Sequence, residues 1–124
     1  MASSPFNKPL SASYVSSDGA TKTLPHATPT LMESLNLEPG VYVITMSAQF
    51  AANGTGLRAV GNNATIPSGP RNGATTGIPY AGTYTTIQHT DIYYSAGGAV
   101  NCYCYQNSGG PLDVWTKIQA IRIN

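Results

Sequence analysis

The ten residues from Val41 to Phe50 constrain this chain more than any other stretch. Tyr42, Ile44, Met46, Ala48 and Phe50 fall on one parity; Val43, Thr45, Ser47 and Gln49 fall on the other. A period of two sends alternate side chains to opposite faces of a strand, so this is a strand with one apolar face and one partly polar face. The β-branched and aromatic content suits a pleated surface, and glycines bound the run on both sides, which argues against a helix. Pro39-Gly40 supplies turn chemistry ahead of it, because proline presets φ and glycine accepts positive values. Beyond it, Asn53-Gly54 and Gly56 turn the chain, and Leu57-Arg58-Ala59-Val60 reads as a strand returning alongside in a hairpin.

The rest of the chain repeats this texture. Ala12 to Val15 reads as a pairing segment, followed by a turn at Ser17-Asp18-Gly19. Thr21 to Pro25 is polar and ends in proline, which suits an edge strand at most. Pro29 to Leu37 reads as a single helical turn around Leu31 to Ser34 or as a short strand leading into Pro39-Gly40. Gly61 to Gly82 is rich in glycine and proline; such long connections are usually functional or hide short strands, and Ala64-Thr65-Ile66 is a candidate piece. Tyr84 to Tyr94 is a clearer strand around Ile87. Val100 to Gln106 alternates, with Val100, Cys102 and Cys104 on one face and Asn101, Tyr103 and Tyr105 on the other. Asn107 to Pro111 is a turn cluster. In the last strand, Leu112 to Ile123, Leu112 and Val114 match Ile118, but Ile121 and Ile123 break parity, so a β-bulge near Gln119-Ala120 is expected. Six clear strands and two or more weaker ones, short and joined by turns, make an all-β chain: an antiparallel sandwich or jelly roll. Residues 1–29 read as an extended arm or edge strand and 30–124 as the folded domain.

Composition narrows the function. Of 124 residues only 9% are charged, against about 25% in an average domain. The net charge is +1, and Lys8, Lys22, Arg58, Arg71, Lys117 and Arg122 are scattered. A nucleic-acid surface needs clustered cations, so no nucleic-acid partner is expected. No apolar run reaches the roughly 18 residues of a membrane helix, and no basic segment precedes an apolar core at the amino terminus, so neither membrane insertion nor a signal peptide is expected. Cys102 and Cys104 share a strand face and are poorly placed to bridge each other. With only His26 and His89 to help them, they are expected to be buried thiols and not a metal site.

The acidic residues are Asp18, Glu33, Glu38, Asp91 and Asp113. They suggest no convergent pair for glycoside hydrolysis and no calcium cluster. His89 and Asp91 are strand neighbours on one face, but no nucleophile elbow accompanies them, and His89 is expected at the surface or an interface. Neither a P-loop nor a dinucleotide fingerprint is present. No catalytic residue, no cofactor and no enzymatic activity are therefore expected.

Tyrosine stands out. Of eight, Tyr80, Tyr84, Tyr93, Tyr94, Tyr103 and Tyr105 fall in the second half. A flat apolar ring with a polar tip suits sugar stacking and protein interfaces. Tyr80 and Tyr84, with Asn72 in the preceding loop, are the candidate ligand contacts. Several strands also carry apolar residues on both faces: Val41 and Val43 lie opposite Tyr42 and Ile44, Tyr103 and Tyr105 opposite the cysteines, and Trp115 opposite Val114. A second apolar face must be covered, so an oligomer is expected, with Tyr103, Tyr105, Trp115 and Arg58 as candidate seam residues.

Four pieces in order then point to a family: Pro39-Gly40-Val41-Tyr42 with the strand to Phe50; Asn53-x-x-Gly56-x-Arg58; Tyr105-Gln106-Asn107-Ser108-Gly109; and Ile118-Gln119-Ala120-Ile121-Arg122-Ile123. Over roughly residues 30–124 this resembles the C1q/TNF-like jelly roll, in the version that ends tail fibres and other surface fibres of bacteriophages. The resemblance implies a homotrimer on a virion, with itself, other virion proteins and a bacterial surface saccharide as partners. It implies a receptor-binding head. The alternative is a capsid or tail decoration protein that contacts only other virion proteins. Such heads normally sit on a collagen-like or coiled-coil stalk, and these 124 residues show neither pattern.

Overall fold

The computed structural model of the chain describes residues 13–16, 21–67, 74–79 and 82–124. It holds β1 (Ser13–Ser16), β2 (Lys22–Leu24), β3 (Thr30–Leu37), β4 (Gly40–Phe50), β5 (Arg58–Gly61), β6 (Thr75–Gly77), β7 (Thr85–Ser95), β8 (Gly98–Gln106) and β9 (Leu112–Arg122). There is no helix among the described residues. The pairing follows one rule. β2 pairs with β9, β3 with β8, β4 with β7 and β5 with β6, all antiparallel. That nesting is a single long hairpin. Two further pairings, β4 with β9 and β5 with β8, roll it up into two facing sheets. One has the order β1-β9-β4-β7 with β2 also beside β9; the other has the order β3-β8-β5-β6. A rolled hairpin in two sheets is a jelly roll.

β4 occupies the centre, as its alternation demands. Tyr42, Ile44, Met46, Ala48 and Phe50 are all buried, and they pack with Val114, Ile118 and Ala120 of β9 and with Val60, Val100, Cys102 and Cys104 of the opposite sheet. The hairpin expected after it does not form. Both flanks of β4 are taken, by β7 and β9, and β5 crosses to the other sheet. Residues 51–57 are longer than a tight hairpin loop and are built as a corner. Arg58 holds that corner from inside: Nη1 donates to the carbonyls of Thr55 (2.9 Å) and Leu57 (3.1 Å), and Nη2 to that of Asn53 (2.7 Å). Its guanidinium lies 5.9 Å from the centroid of the Phe50 ring. Asn107 Oδ1 accepts from Leu57 N at 2.7 Å. Gly56 has φ 78°, and a Cβ there would lie 2.5 Å from Asn107 O. The spacing Asn53-x-x-Gly56-x-Arg58 and the distant Asn107 thus describe one corner.

The expected bulge in the last strand is also absent. β9 stays in register with β4 from Tyr42↔Arg122 to Phe50↔Val114. Leu112, Val114, Thr116, Ile118 and Ala120 face in, while Ile121 is half-buried and Ile123 exposed on the outer side. Their broken parity marks outward apolar residues. The register shift lies instead in β3, between Leu31 and Glu33. Pro29 to Leu37 takes the strand alternative. Ala64-Thr65-Ile66 is no strand: Asn62 Oδ1 accepts from Ala64 N (2.8 Å) and Thr65 N (3.1 Å), a side-chain-capped turn. Ser17-Asp18-Gly19 lies outside the described residues. Cys102 and Cys104 are buried and inward, as expected, and are not bridged to each other. A hydrogen bond with Cys102, and then burial, push the Cys104 thiol well above its usual range.

Candidate functional site

The outer face of the five-stranded sheet is laid out in rows by its register. Gln49 lies between Thr86 and Trp115, Ser47 between Gln88 and Lys117, and Thr45 between Thr90 and Gln119. Then the chemistry changes. Val43 lies between Ile92 and Ile121, and Val41 lies beside Tyr94. Ile123 closes the last row, its backbone N–H donating to Val41 O at 2.8 Å.

At the polar end two rings meet. Tyr84 stands just ahead of β7 and stacks on Trp115 of β9, with centroids 5.6 Å apart and planes 12° from parallel. Trp115 Nε1 donates to Thr21 Oγ1 at 3.0 Å. Tyr84 is still 57% exposed. At the apolar end Ile92, Tyr94 and Ile123 are 55%, 78% and 45% exposed. Val41, Val43 and Ile121 between them are half-buried. Three of the seven exposed large apolar side chains among the described residues therefore share one patch. The row of Thr45 and Thr90, whose hydroxyls share a hydrogen bond of 3.2 Å, separates the ends.

The candidate residues do not converge. Tyr103 is half-buried on the outer face of the other sheet, opposite Leu31 and Gly61. Tyr105 is buried, and Arg58 is enclosed by its own chain at 0% exposure, so its guanidinium offers nothing to a neighbour. Tyr80 and Asn72 lie outside the described residues. Tyr84 and Trp115, assigned to different roles by sequence, are in contact. The apolar end was read in part: the sequence gives Val41 and Val43 to a second apolar face, but Ile92, Tyr94, Ile121 and Ile123 were not joined to them, although the parity break at Ile121 and Ile123 was the signal.

His89 corrects another expectation. The parity of β7 turns it inward with Ile87, and it is 6% exposed. Its Nδ1 lies 3.0 Å from Thr75 Oγ1 of β6 and its Nε2 3.4 Å from Thr65 Oγ1. Asp91 Oδ2 is 3.7 Å from Nε2, beyond hydrogen-bond length. β6 and β7 end their respective sheets, and His89 ties these two edges together across the sandwich. Among the described residues no three metal-ligating side chains cluster, and no helix is long and apolar enough to cross a membrane.

The fold has solved counterparts in particles of a virus. The VP2 subviral particle of infectious bursal disease virus matches 93% of this chain with TM-score 0.65 and 9% identity. T=1 particles derived from the same virus match 93% of the chain with TM-score 0.64 and 11% identity. At such identities the likeness is one of fold. This jelly roll spans about a third of the length of those capsid chains, 33% and 32%. A carbohydrate-binding module of Cellvibrio mixtus lichenase 5A, in complex with cellotriose, covers 89% of this chain and 86% of its own at 22% identity; its TM-score of 0.35 is too low to carry an argument. No family model and no curated protein matches the chain.

Proposed function

We propose that the chain is a non-enzymatic virion surface protein: a jelly-roll head that assembles as a homotrimer through the apolar end of its five-stranded sheet and binds a saccharide of the host surface. The apolar end carries this reading. Five aliphatic side chains and the Tyr94 ring, on three adjacent strands and just past the end of β9, make one largely apolar patch, and a contiguous patch of that kind marks an association site. Burial at about 25 cal/mol per Å² favours covering it. The fold it shares with a viral capsid protein supports a virion location. The number three and a bacterial host rest on the resemblance of its motifs to C1q/TNF-like heads of phage fibres.

A second reading is a decoration protein that touches only other virion proteins, and the capsid-type fold supports it equally. Labelling intact particles with antibody against this chain separates the two. Label at fibre tips supports the receptor-binding head. Label spread over the shell supports decoration. Purified particles free of the protein overturn both.

A further inference from the structure

We propose that the Tyr84–Trp115 stack, with the amides and hydroxyls around it, is a docking platform for a neutral saccharide. The inference rests on the saccharide-binding part of the proposed function and assigns it a site. The indole has one polar atom, and Thr21 holds it. That contact and the parallel Tyr84 ring fix the orientation of Trp115, so the platform is set before a ligand arrives and little is lost on ordering it. Tyr84 reaches Trp115 from the far side of β4, since Thr85 and Val114 both pair with Phe50. The register therefore sets Gln49 between the strands that supply the two rings.

A pyranose has an apolar C–H face and a rim of hydroxyls. The aromatic stack matches the first. Gln49, Thr86 and Gln88, all exposed on the adjoining rows, match the second, because amides and hydroxyls both donate and accept. Charge selects the ligand class. On β9, Asp113 and Lys117 flank Trp115 and cancel each other, and the neighbouring rows of β4 and β7 carry no charge. A phosphorylated or sialylated glycan would find no cationic cluster here. The platform is also clear of the apolar end. Trp115 and Ile121 are six residues apart on β9, about 20 Å at 3.4 Å per residue. A seam at one end leaves the other open.

Trp115 is the single tryptophan of the chain, so its fluorescence reports the platform directly. The experiment screens the full-length protein on an array of neutral, sialylated and phosphorylated glycans, then titrates the best binder while tryptophan emission is followed. The expected result is binding to neutral glycans, a saturable emission change in the parent, and an affinity loss on the order of tenfold in Tyr84→Ala and Trp115→Ala, both read by isothermal titration calorimetry because the second variant has no tryptophan. Trp115→Phe, which keeps a flat ring, should lose less; a circular dichroism spectrum matching the parent controls for folding. A glycan that binds with emission unmoved and with full affinity for Tyr84→Ala overturns the platform and leaves the saccharide reading intact. Binding confined to sialylated or phosphorylated glycans overturns the neutral class. No binding to any glycan on the array overturns both the platform and the reading beneath it.

Discussion

The outer face of the five-stranded sheet has two ends built from the same three strands, and they suit different partners. At the Trp115 end, flat rings stand among amides and hydroxyls, and the indole N–H already has its acceptor. At the Ile121 end, branched aliphatic side chains and Tyr94 stand together. Backbone, pairing and twist are shared, so the difference lies in side chains alone. A face of Val and Ile gains only by excluding water over a wide area, which a second protein surface can do. A pair of rings with adaptable polar neighbours can hold something as small as a sugar.

The largest expected effect strikes both ends together. Arg58→Ala removes three charge-assisted bonds to backbone carbonyls and empties a fully buried site beneath Phe50. It should lower stability by about 3 kcal/mol or more, read from the urea midpoint. A midpoint equal to the parent's would contradict the structural role given to Arg58. Next comes the change that should divide the ends. Tyr94→Glu puts a charge into the apolar patch and should weaken self-association on the order of 100-fold, while the glycan-induced change in Trp115 emission persists. Loss of both together would show that the ends are not independent.

The inner face offers a smaller effect. The Cys104 thiol is held well above the ordinary thiol range by its hydrogen bond with Cys102 and by burial. The folded state therefore keeps a proton that the unfolded chain gives up. Its contribution is present in full at neutral pH and is lost as pH rises past about 9. In Cys104→Ala that part of the alkaline fall in stability should vanish, and both association and the glycan-induced emission change should survive. Smallest is Thr90→Ala, which removes one exposed hydroxyl bond in the dividing row. A stability loss under about 1 kcal/mol is expected, with neither end altered. A change in oligomeric mass would mean that the seam extends into the polar rows.

How legible all this was depended on whether a residue's role is set by its own strand. The alternation of Val41 to Phe50 gave the central strand because a period of two is local. The same holds for Val100, Cys102 and Cys104. What alternation cannot state is which strand lies alongside. The return strand at Arg58 was therefore placed next to β4, when it lies in the other sheet and the connection between them is a corner clamped by a side chain. The bulge assigned to Gln119-Ala120 failed for a related reason. It assumed that every isoleucine in the last strand belongs inside, whereas Ile121 and Ile123 belong to an outer patch that only the rolled sheet assembles. His89 was legible as a neighbour of Asp91, but the Thr65 and Thr75 hydroxyls that enclose it come from other parts of the chain. The contact between Tyr84 and Trp115 spans 31 positions and crosses β4, and nothing local announces it.

The central claim is that the apolar end is a seam between copies of this chain. Sedimentation equilibrium of the purified protein at micromolar concentration, beside Tyr94→Glu, tests it most directly. A trimer joined at this end has about three times the 13.0 kDa chain mass, and the variant should shift toward the single-chain mass. A parent that stays at 13.0 kDa across all concentrations would contradict it, as would a variant that keeps the parent's mass.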